Sequence, residues 1–401
     1  MTATAPAAPA KVYFTNLRTH ARESQLDKLK RLIRRAGIER IDFENKFVAI
    51  KIHFGELGNL SFLRPNYARA VADVVKELGG KPFLTDCNTL YVGSRKNALE
   101  HIDTAYQNGF TPYATAARSS SPTAQGTDEA LVPVEGGEYV REAKIGQALM
   151  DADIVISLTH FKGHEQAGFG GAMKNLGMGG GSRAGKMEQH AAGKPSVDTT
   201  NCVGCRACEK ICAHSAITFD GTRERELANG STRTVHVAAI DHDRCVGCGR
   251  CIAACNQDCI KPDYDAAADV LNYKIAEYTK AVVDAPELPH LACHGYQPQL
   301  RLHPENDTPI VNDIGMFASF DPVAIDQACA DAVLASEPLP NTELTDSAAK
   351  MEHNHEHLEG EQAKDPFCIT HPTPTGARAS RMPRRSAWAR ASTSSSRSNS
   401  T

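Results

Sequence analysis

The chain has 401 residues, 41% hydrophobic and 23% charged, ordinary proportions for a globular protein with room for more than one domain. Its net charge of −4 argues against a nucleic-acid binder, which is usually basic. No apolar run approaches the roughly 18 residues that a membrane span requires, so no span is expected. The start, MTATAPAAPAK, has neither a basic n-region nor an apolar h-region, which argues against a signal peptide and makes the cytoplasm the expected location. The tail from Cys368 to Thr401 holds six Arg and no Asp or Glu, so the rest is more acidic than the average.

From Lys11 onward, short apolar runs alternate with helical patterns. KVYFTN, KFVAIKIHF, KPFLTDC and ADIVISLTHF read as strands rich in Val, Ile and Phe. Between them, Ser24 to Ala36 and Arg64 to Leu78 carry apolar residues at helical spacing, the latter with Pro65 near its start. This alternation predicts an α/β fold, a parallel sheet flanked by helices. Residues 196–262 are Cys-rich and internally duplicated. Tyr264 to Ala285 then reads as a helix, and Asp313 to Val333 returns to strand-plus-helix character. The expected organisation is an α/β domain (11–195 and 263–366) interrupted by a small α+β unit (196–262). An aberrant tail (367–401) of disorder-prone composition follows.

Eight of the thirteen cysteines fall into two repeats, Cys202-x2-Cys205-x2-Cys208-x3-Cys212 and Cys245-x2-Cys248-x2-Cys251-x3-Cys255. In such a register three thiolates reach three irons of one cubane, and the fourth reaches across to the other cluster. The spacing therefore predicts two 4Fe–4S clusters of bacterial-ferredoxin type. Cys202, Cys205, Cys208 and Cys255 would hold one; Cys245, Cys248, Cys251 and Cys212 would hold the other. Zinc sites are the alternative, but zinc needs only four ligands per site and does not require a doubled eight-Cys register. The proline usual after the fourth Cys is replaced by Ala213 and Asn256, which removes no ligand. Ala216–Phe219 and Val235–Ile240 are expected to pair as strands between the repeats, and Cys259 to be a small buried side chain.

Polar residues gather after three predicted strands. Lys51, His53 and Glu56 follow KFVAIKI, Asp86 and Asn88 follow KPFLTD, and His160, Lys162 and His164 follow ADIVISL. Three strand ends supplying His, Lys and acid suit a pocket for an anionic substrate or a metal. For each residue alone, capping a helix or tying down a loop is an equal alternative. Gly180 to Lys186 formally fits G-x4-G-K, but Met187 stands where a nucleotide loop needs Ser or Thr, and no strand immediately precedes it. His353, His355 and His357 alternate in a charged stretch better read as a solvated loop than as a metal site.

The strings KIHFGELGNLSFLRPNY, FLTDCNTLYVGSRKNA, LTHFKGHEQAGFGGAMKNLGMGGGSRAGKM and SFDPVAIDQACADAV, with the double cluster motif between them, resemble domain-of-unknown-function family 362, in particular its iron–sulfur members. The resemblance covers roughly residues 11–366. It implies an α/β domain with an embedded two-cluster ferredoxin unit, and it supplies no substrate. The expected function is electron transfer, or the electron-carrying part of a reductase, with an unidentified redox protein or small molecule as partner. If the chain is an enzyme, an oxidoreductase is the expected class. Two alternatives stay open: a non-redox enzyme acting on a small anion with structural clusters, and a cluster-based sensor or assembly factor. A flavin or second metal near His53 and Lys162 would favour a reductase, but nothing in the text supports either.

Three windows depart from the rest: Ala117–Gln125, Ala292–His303 and the tail from Cys368. In each, a neighbouring reading frame can be written that restores family-like text, so all three are expected to be out-of-frame translation. Resequencing the gene is expected to find single-base insertions or deletions bounding these windows. An unshifted gene with these same codons ends the idea.

Overall fold

The computed structural model describes residues 10–90, 93–120, 128–164, 167–190, 194–226, 230–245, 247, 249–262, 268–285, 290–296, 308–353 and 366. Strand β1 (Tyr13–Asn16) leads to helix α1 (Gln25–Ala36). Ser24 caps α1, its Oγ accepting from the Asp27 N–H at 3.2 Å while the Asp27 carboxylate accepts from the Ser24 N–H at 2.9 Å. Gly37, at φ 108°, ends it in the left-handed region that favours glycine. Then follow β2 (Phe47–Lys51), α2 (Pro65–Glu77, with its proline in the first turn) and β3 (Lys81–Thr85). Helices α3 (Ala98–Gln107) and α4 (Pro112–Thr115) lead to a two-residue strand β4 (Arg118–Ser119). A hairpin of β5 (Glu129–Pro133) and β6 (Glu142–Gly146) is followed by α5 (Gln147–Met150) and the long β7 (Ile154–His164). β8 (Gly168–Gly170) folds back on β7, before α6 (Ala172–Gly180) and α7 (Arg183–His190).

The Cys-rich segment contributes β9 (Pro195–Val197), α8 (Ala207–Ile211), β10 (Ile217–Glu226), β11 (Thr232–Ile240), α9 (Arg250–Ala254) and β12 (Ile260–Pro262). The chain then returns to the main sheet through α10 (Ala268–Val283), β13 (His290–Tyr296), β14 (Gly315–Ser319), α11 (Pro322–Leu334) and α12 (Glu343–His353).

The main sheet runs β1-β14-β13-β7-β2-β3-β4, with β8 beside β7. Strands β13, β7, β2, β3 and β4 are parallel, while β14 lies antiparallel to both β13 and β1. The sheet is therefore mixed, not wholly parallel as the alternation suggested. A parallel neighbour needs a crossover, usually a helix, and no helix stands between β13 and β14 among the described residues. The second anomalous window begins inside this sheet, since Ala292–Tyr296 belong to β13 between β7 and β14. In the first window only Ala117–Ser120 are described, with Arg118 and Ser119 on the sheet's outer edge. The tail, His355 and His357 lie outside the described residues.

The strands alternate between two cores. Val48, Ile50, Ile154 and Ile156 pack against α1 and α2, while Ala49 and Val155 face α6 and α10 through Leu176, Tyr278 and Val282. Glycines set the second spacing. A Cβ on Gly177 of α6 would meet the Ile275 carbonyl and the Thr279 hydroxyl of α10, so the two helices touch where a side chain would hold them apart. No helix among the described residues is long and apolar enough to cross a membrane. Replacing Gly177 with Val is expected to force α6 and α10 apart and cost about 1–3 kcal/mol, the range for overpacking a filled interior. Chemical denaturation measures this, and an unchanged midpoint would show that the contact is not tight.

Candidate functional site

Because β2, β3 and β7 are parallel, their carboxyl ends share one edge of the sheet, where such folds bind ligands. Lys51 ends β2 fully buried, and its ammonium donates to Asp86 Oδ1 at 2.7 Å and to Asn175 Oδ1 at 2.9 Å. The Asn175 amide donates to the Lys51 carbonyl, Ser157 Oγ and Thr159 Oγ1, which ties α6 to β2 and β7. Burial disfavours the charged form of Asp86, but Lys51, His101, Arg95 and Lys186 together outweigh it and hold its pKa below the usual value.

Above this floor opens a cavity of about 110 Å³, lined by His53, Thr89, His160, Lys162 and Lys174 as well as by Lys51, Asp86, Arg95 and Lys186. That is small beside the roughly 300 Å³ at which pockets for drug-sized ligands begin. Arg95 is buried and donates to Glu56 Oε2 at 3.0 Å. Lys186 donates to the carbonyls of Gly179 at 3.1 Å and Gly181 at 2.6 Å. Burial, with Lys174 and Arg95 nearby, lowers the pKa of Lys162 to about 7 against the pull of Asp86. Burial likewise lowers Lys186 to about 8. His53 Nδ1 accepts from the Gly55 N–H at 3.1 Å, so the neutral ring carries its proton on Nε2. Burial and the charges of Arg95, Lys162 and Lys51 keep that ring neutral, with its pKa well below the ordinary value.

Of the residues predicted for a site, the fold brings Lys51, His53, Asp86, His160 and Lys162 to this one cavity. Glu56 stands behind it. Its carboxylate accepts from Arg95, from the Ser94 N–H at 2.6 Å and from the Ser94 hydroxyl, and so ties down the 93–95 loop. Asn88 is bonded to His101 Nδ1 at 3.0 Å. His164 lies further along β7, which continues past the expected strand end; its Nδ1 accepts from the Ala167 N–H, and its Nε2 lies 3.0 Å from Lys174 Nζ. The sequence reading missed Arg95, Lys174, Asn175 and Lys186. The signal for the last three was the Lys and Asn content of the glycine-rich stretch, whose glycines serve helix contacts rather than a phosphate loop.

The two Cys repeats fold as copies of one another. Gly204 and Gly247 (φ 69° and 73°), Arg206 and Gly249 (60° and 68°), and Ser215 and Asp258 (48° and 51°) stand at matching places, all with positive φ. Helices α8 and α9 also correspond, and they pack together. β10, after the first repeat, pairs with β11 before the second, Ile217 opposite Ile240; β12, after the second, pairs with β9 before the first, Ile260 opposite Val197. The Asp241 N–H donates to the Ala216 carbonyl at 2.8 Å, and the Asp198 N–H donates to that of Cys259 at 2.7 Å, again at equivalent positions. The expected strand pair between the repeats is thus present and longer than its sequence signal.

Cys255 lies in one apolar cluster with Cys202 and Cys208 of the first repeat. It and Cys205 both act electrostatically on Cys208, whose thiol burial pushes up to about 11. Cys259 is buried as expected, but its sulfur lies 3.3 Å from that of Cys255. Burial works against the Cys255 thiolate, yet the Cys259 thiol and neighbouring backbone N–H groups bring its pKa down, while Cys259 is held up as the thiol. Backbone N–H groups also point at sulfur from Ala238 to Cys202 at 3.5 Å and from Ala216 to Cys212 at 3.4 Å. Soft sulfur donors with N–H groups aimed at them fit an iron–sulfur centre. Among the described residues no three His, Cys, Asp or Glu are drawn together as a metal site, and Cys248 lies outside those residues.

The Cys-rich unit packs directly behind the cavity. Leu90, one residue from Thr89, and Met187, next to Lys186, lie in the same apolar cluster as Cys202, Cys208, Cys251 and Cys255. Lys96 pairs with Asp258 across the same seam.

Fold and site define an α/β protein with a cationic pocket beside a duplicated thiol unit. The chain belongs to the family DUF362, a domain of unknown function, whose pattern matches residues 48–331. It is 31% identical over 125 residues to a thylakoid-associated protein of Synechocystis sp., a match covering 30% of this chain and 33% of that protein. The chain thus spans about a third of the length of that curated relative. A crystal structure of a Thermotoga maritima protein aligns with 77% of this chain and 58% of its own, at 11% identity and a TM-score of 0.38, a weak likeness.

Replacing Lys51 with Met is expected to leave Asp86 buried with the Cys87 N–H at 2.9 Å and longer contacts to Arg95 and His101 as its partners, costing on the order of 3 kcal/mol. In the wild type the lowered Asp86 pKa contributes stability that is present above the unfolded value near 3.8 and lost as pH falls through the folded one. In the variant that pKa rises, so protonation relieves the penalty and the stability gap should narrow from pH 7 to pH 5. Denaturation at both pH values checks this, and a gap that stays constant or widens contradicts it.

Proposed function

We propose that the chain is an iron–sulfur protein holding two 4Fe–4S clusters in a ferredoxin-like unit, residues 196–262. It acts as the electron-carrying part of a reductase whose chemistry takes place in the cationic pocket. The observation that supports this reading is the duplicated Cys loop with exchanged strand pairing, with Cys255 of the second repeat near enough to Cys208 of the first to act on it electrostatically. By the same twofold relation Cys212 would join Cys245 and Cys251, and the repeat spacing assigns Cys248 to the same cluster. Cluster pairs of this type supply one-electron transfer, at potentials set by burial and by hydrogen bonds to sulfur.

The residues of this chain divide the remaining work. Ala238 and Ala216 supply N–H bonds to cysteine sulfur. Leu90 and Met187 fill the seam and keep water from the space between the thiols and the pocket. Lys162 and Lys186, with pKa values of about 7 and 8, can each hold or release a proton near neutral pH. Free thiols in this number suit a reducing compartment, the cytoplasm. The electron source would be a redox protein or a small reductant. These two lysines also favour a second reading, a non-redox enzyme acting on a small anion with the clusters as structural elements.

Anaerobically purified protein is expected to contain about eight irons and eight sulfides per chain, reducible reversibly by a low-potential donor. Cys255→Ser should deplete the cluster of the first repeat and lower iron toward about four. Zinc in place of iron, or wild-type iron well below eight, defeats the cluster assignment. Full iron that resists every reductant moves the protein to the second reading.

A further inference from the structure

The cavity carries more positive charge than its own acids balance. Lys51 is paired with Asp86, and Arg95 with Glu56. Among the described residues no carboxylate lies within ion-pair distance of Lys162 or Lys186, although both line the same small space. A desolvated cation without a counter-charge is costly and lowers its pKa rather than stay charged, as the half-buried Lys162 does. A ligand that brings negative charge would restore the ammonium.

Two neutral donors are also present. The protonated Nε2 of His53 and the hydroxyl of Thr89 are each shut away from solvent, with no hydrogen-bond partner among the described residues. Thr89 is 5% exposed and lines the cavity beside His53. Buried donors are rarely left unsatisfied, so two of them around one cavity with surplus lysines imply an acceptor between them. The floor is preorganised by the Asn175 network, and the space of about 110 Å³ suits a small molecule.

We propose that this cavity binds a small molecule through a doubly charged oxyanion, a phosphate monoester or a short dicarboxylate, with Lys162, His53 Nε2 and Thr89 Oγ1 donating to its oxygens. Lys186 adds charge from behind, fixed by the carbonyls of Gly179 and Gly181. A monoanion would leave one of the two unpaired lysines uncompensated. That this molecule is the reductase's substrate rests on the reading above, whereas its binding rests on the α/β residues alone.

The test is calorimetric titration of the anaerobically purified full chain, at fixed ionic strength, with inorganic phosphate and separately with malonate, with iron counted in every sample. One saturable site for either probe is expected, with chloride giving none. Phosphate alone selects the phosphate ester, and malonate alone the dicarboxylate. Lys162→Met and Thr89→Val should each weaken binding about tenfold or more, as for loss of a bond to a charged group. Lys162→Gln and His53→Gln serve where the first variants fold poorly. Lys81→Met, at the opposite end of β3, should bind as the wild type does. No saturable binding of either probe, or pocket variants that bind like the wild type, overturns the proposal. Binding by protein that lacks iron would uphold the pocket and remove the redox reading.

Discussion

Lys51 places a full positive charge at the buried end of a central strand, and much of the surrounding arrangement follows from keeping that charge satisfied. Its ammonium needs acceptors at short range because water cannot reach it. Asp86, at the end of the neighbouring parallel strand, supplies a carboxylate, and Asn175 on α6 supplies an amide oxygen. The same amide then donates to β2 and β7, so one lysine fixes a helix across three strands. Gly179 belongs to this constraint, since a Cβ there would lie 2.8 Å from the Lys51 nitrogen.

Once Asp86 is committed to Lys51, it has little left for the other cations. Arg95 lies 3.7 Å from it and takes Glu56 as its closer partner, which moves a second acid out of the cavity wall. What remains facing the cavity is an excess of lysine and neutral imidazole. The proposed anion site therefore arises from the way its acids are used up in the floor and the loops. Glu56 reads in the sequence as a candidate acid, but in the fold it organises the 93–95 loop.

Much of the scaffold was legible because its elements are locally consistent. Ser24 with Asp27, Pro65 at the start of α2 and the apolar runs of β2 and β7 each point to the structure found. The Cys spacing likewise reflects a backbone repeat that the positive φ values show independently. Less legible was anything decided by non-local packing. Helices α6 and α7 are masked by glycine, which disfavours helix locally and is kept because α10 and Lys51 approach so closely. That hid Lys174, Asn175 and Lys186. The antiparallel placement of β14 depends on the route of a connection, which periodicity does not encode. β7 runs beyond Phe161, where its expected strand ends, because β8 pairs back on Lys162–His164.

The seam between the pocket and the Cys-rich unit is where the two halves of the proposed function meet, and its composition is suited to both. Adjacent residues divide between the two sides: Thr89, Arg95 and Lys186 line the cavity, while their neighbours Leu90, Lys96 and Met187 meet the Cys-rich unit. On the cysteine side the α/β domain offers cations. Lys96 pairs with Asp258, three residues from Cys255, and buried Arg183 lies so close to Gly249 that a Cβ there would meet its side chain at 2.6 Å. If the cysteines hold clusters as proposed, they would do so as thiolates, and cations at the boundary would lower the cost of burying that negative charge. Glycine at position 249 meets two demands, a positive φ for the Cys loop and room for the guanidinium stem. The contact therefore depends on residues of both units, and under the proposed function it is the boundary that couples the cysteine side to the lysine side.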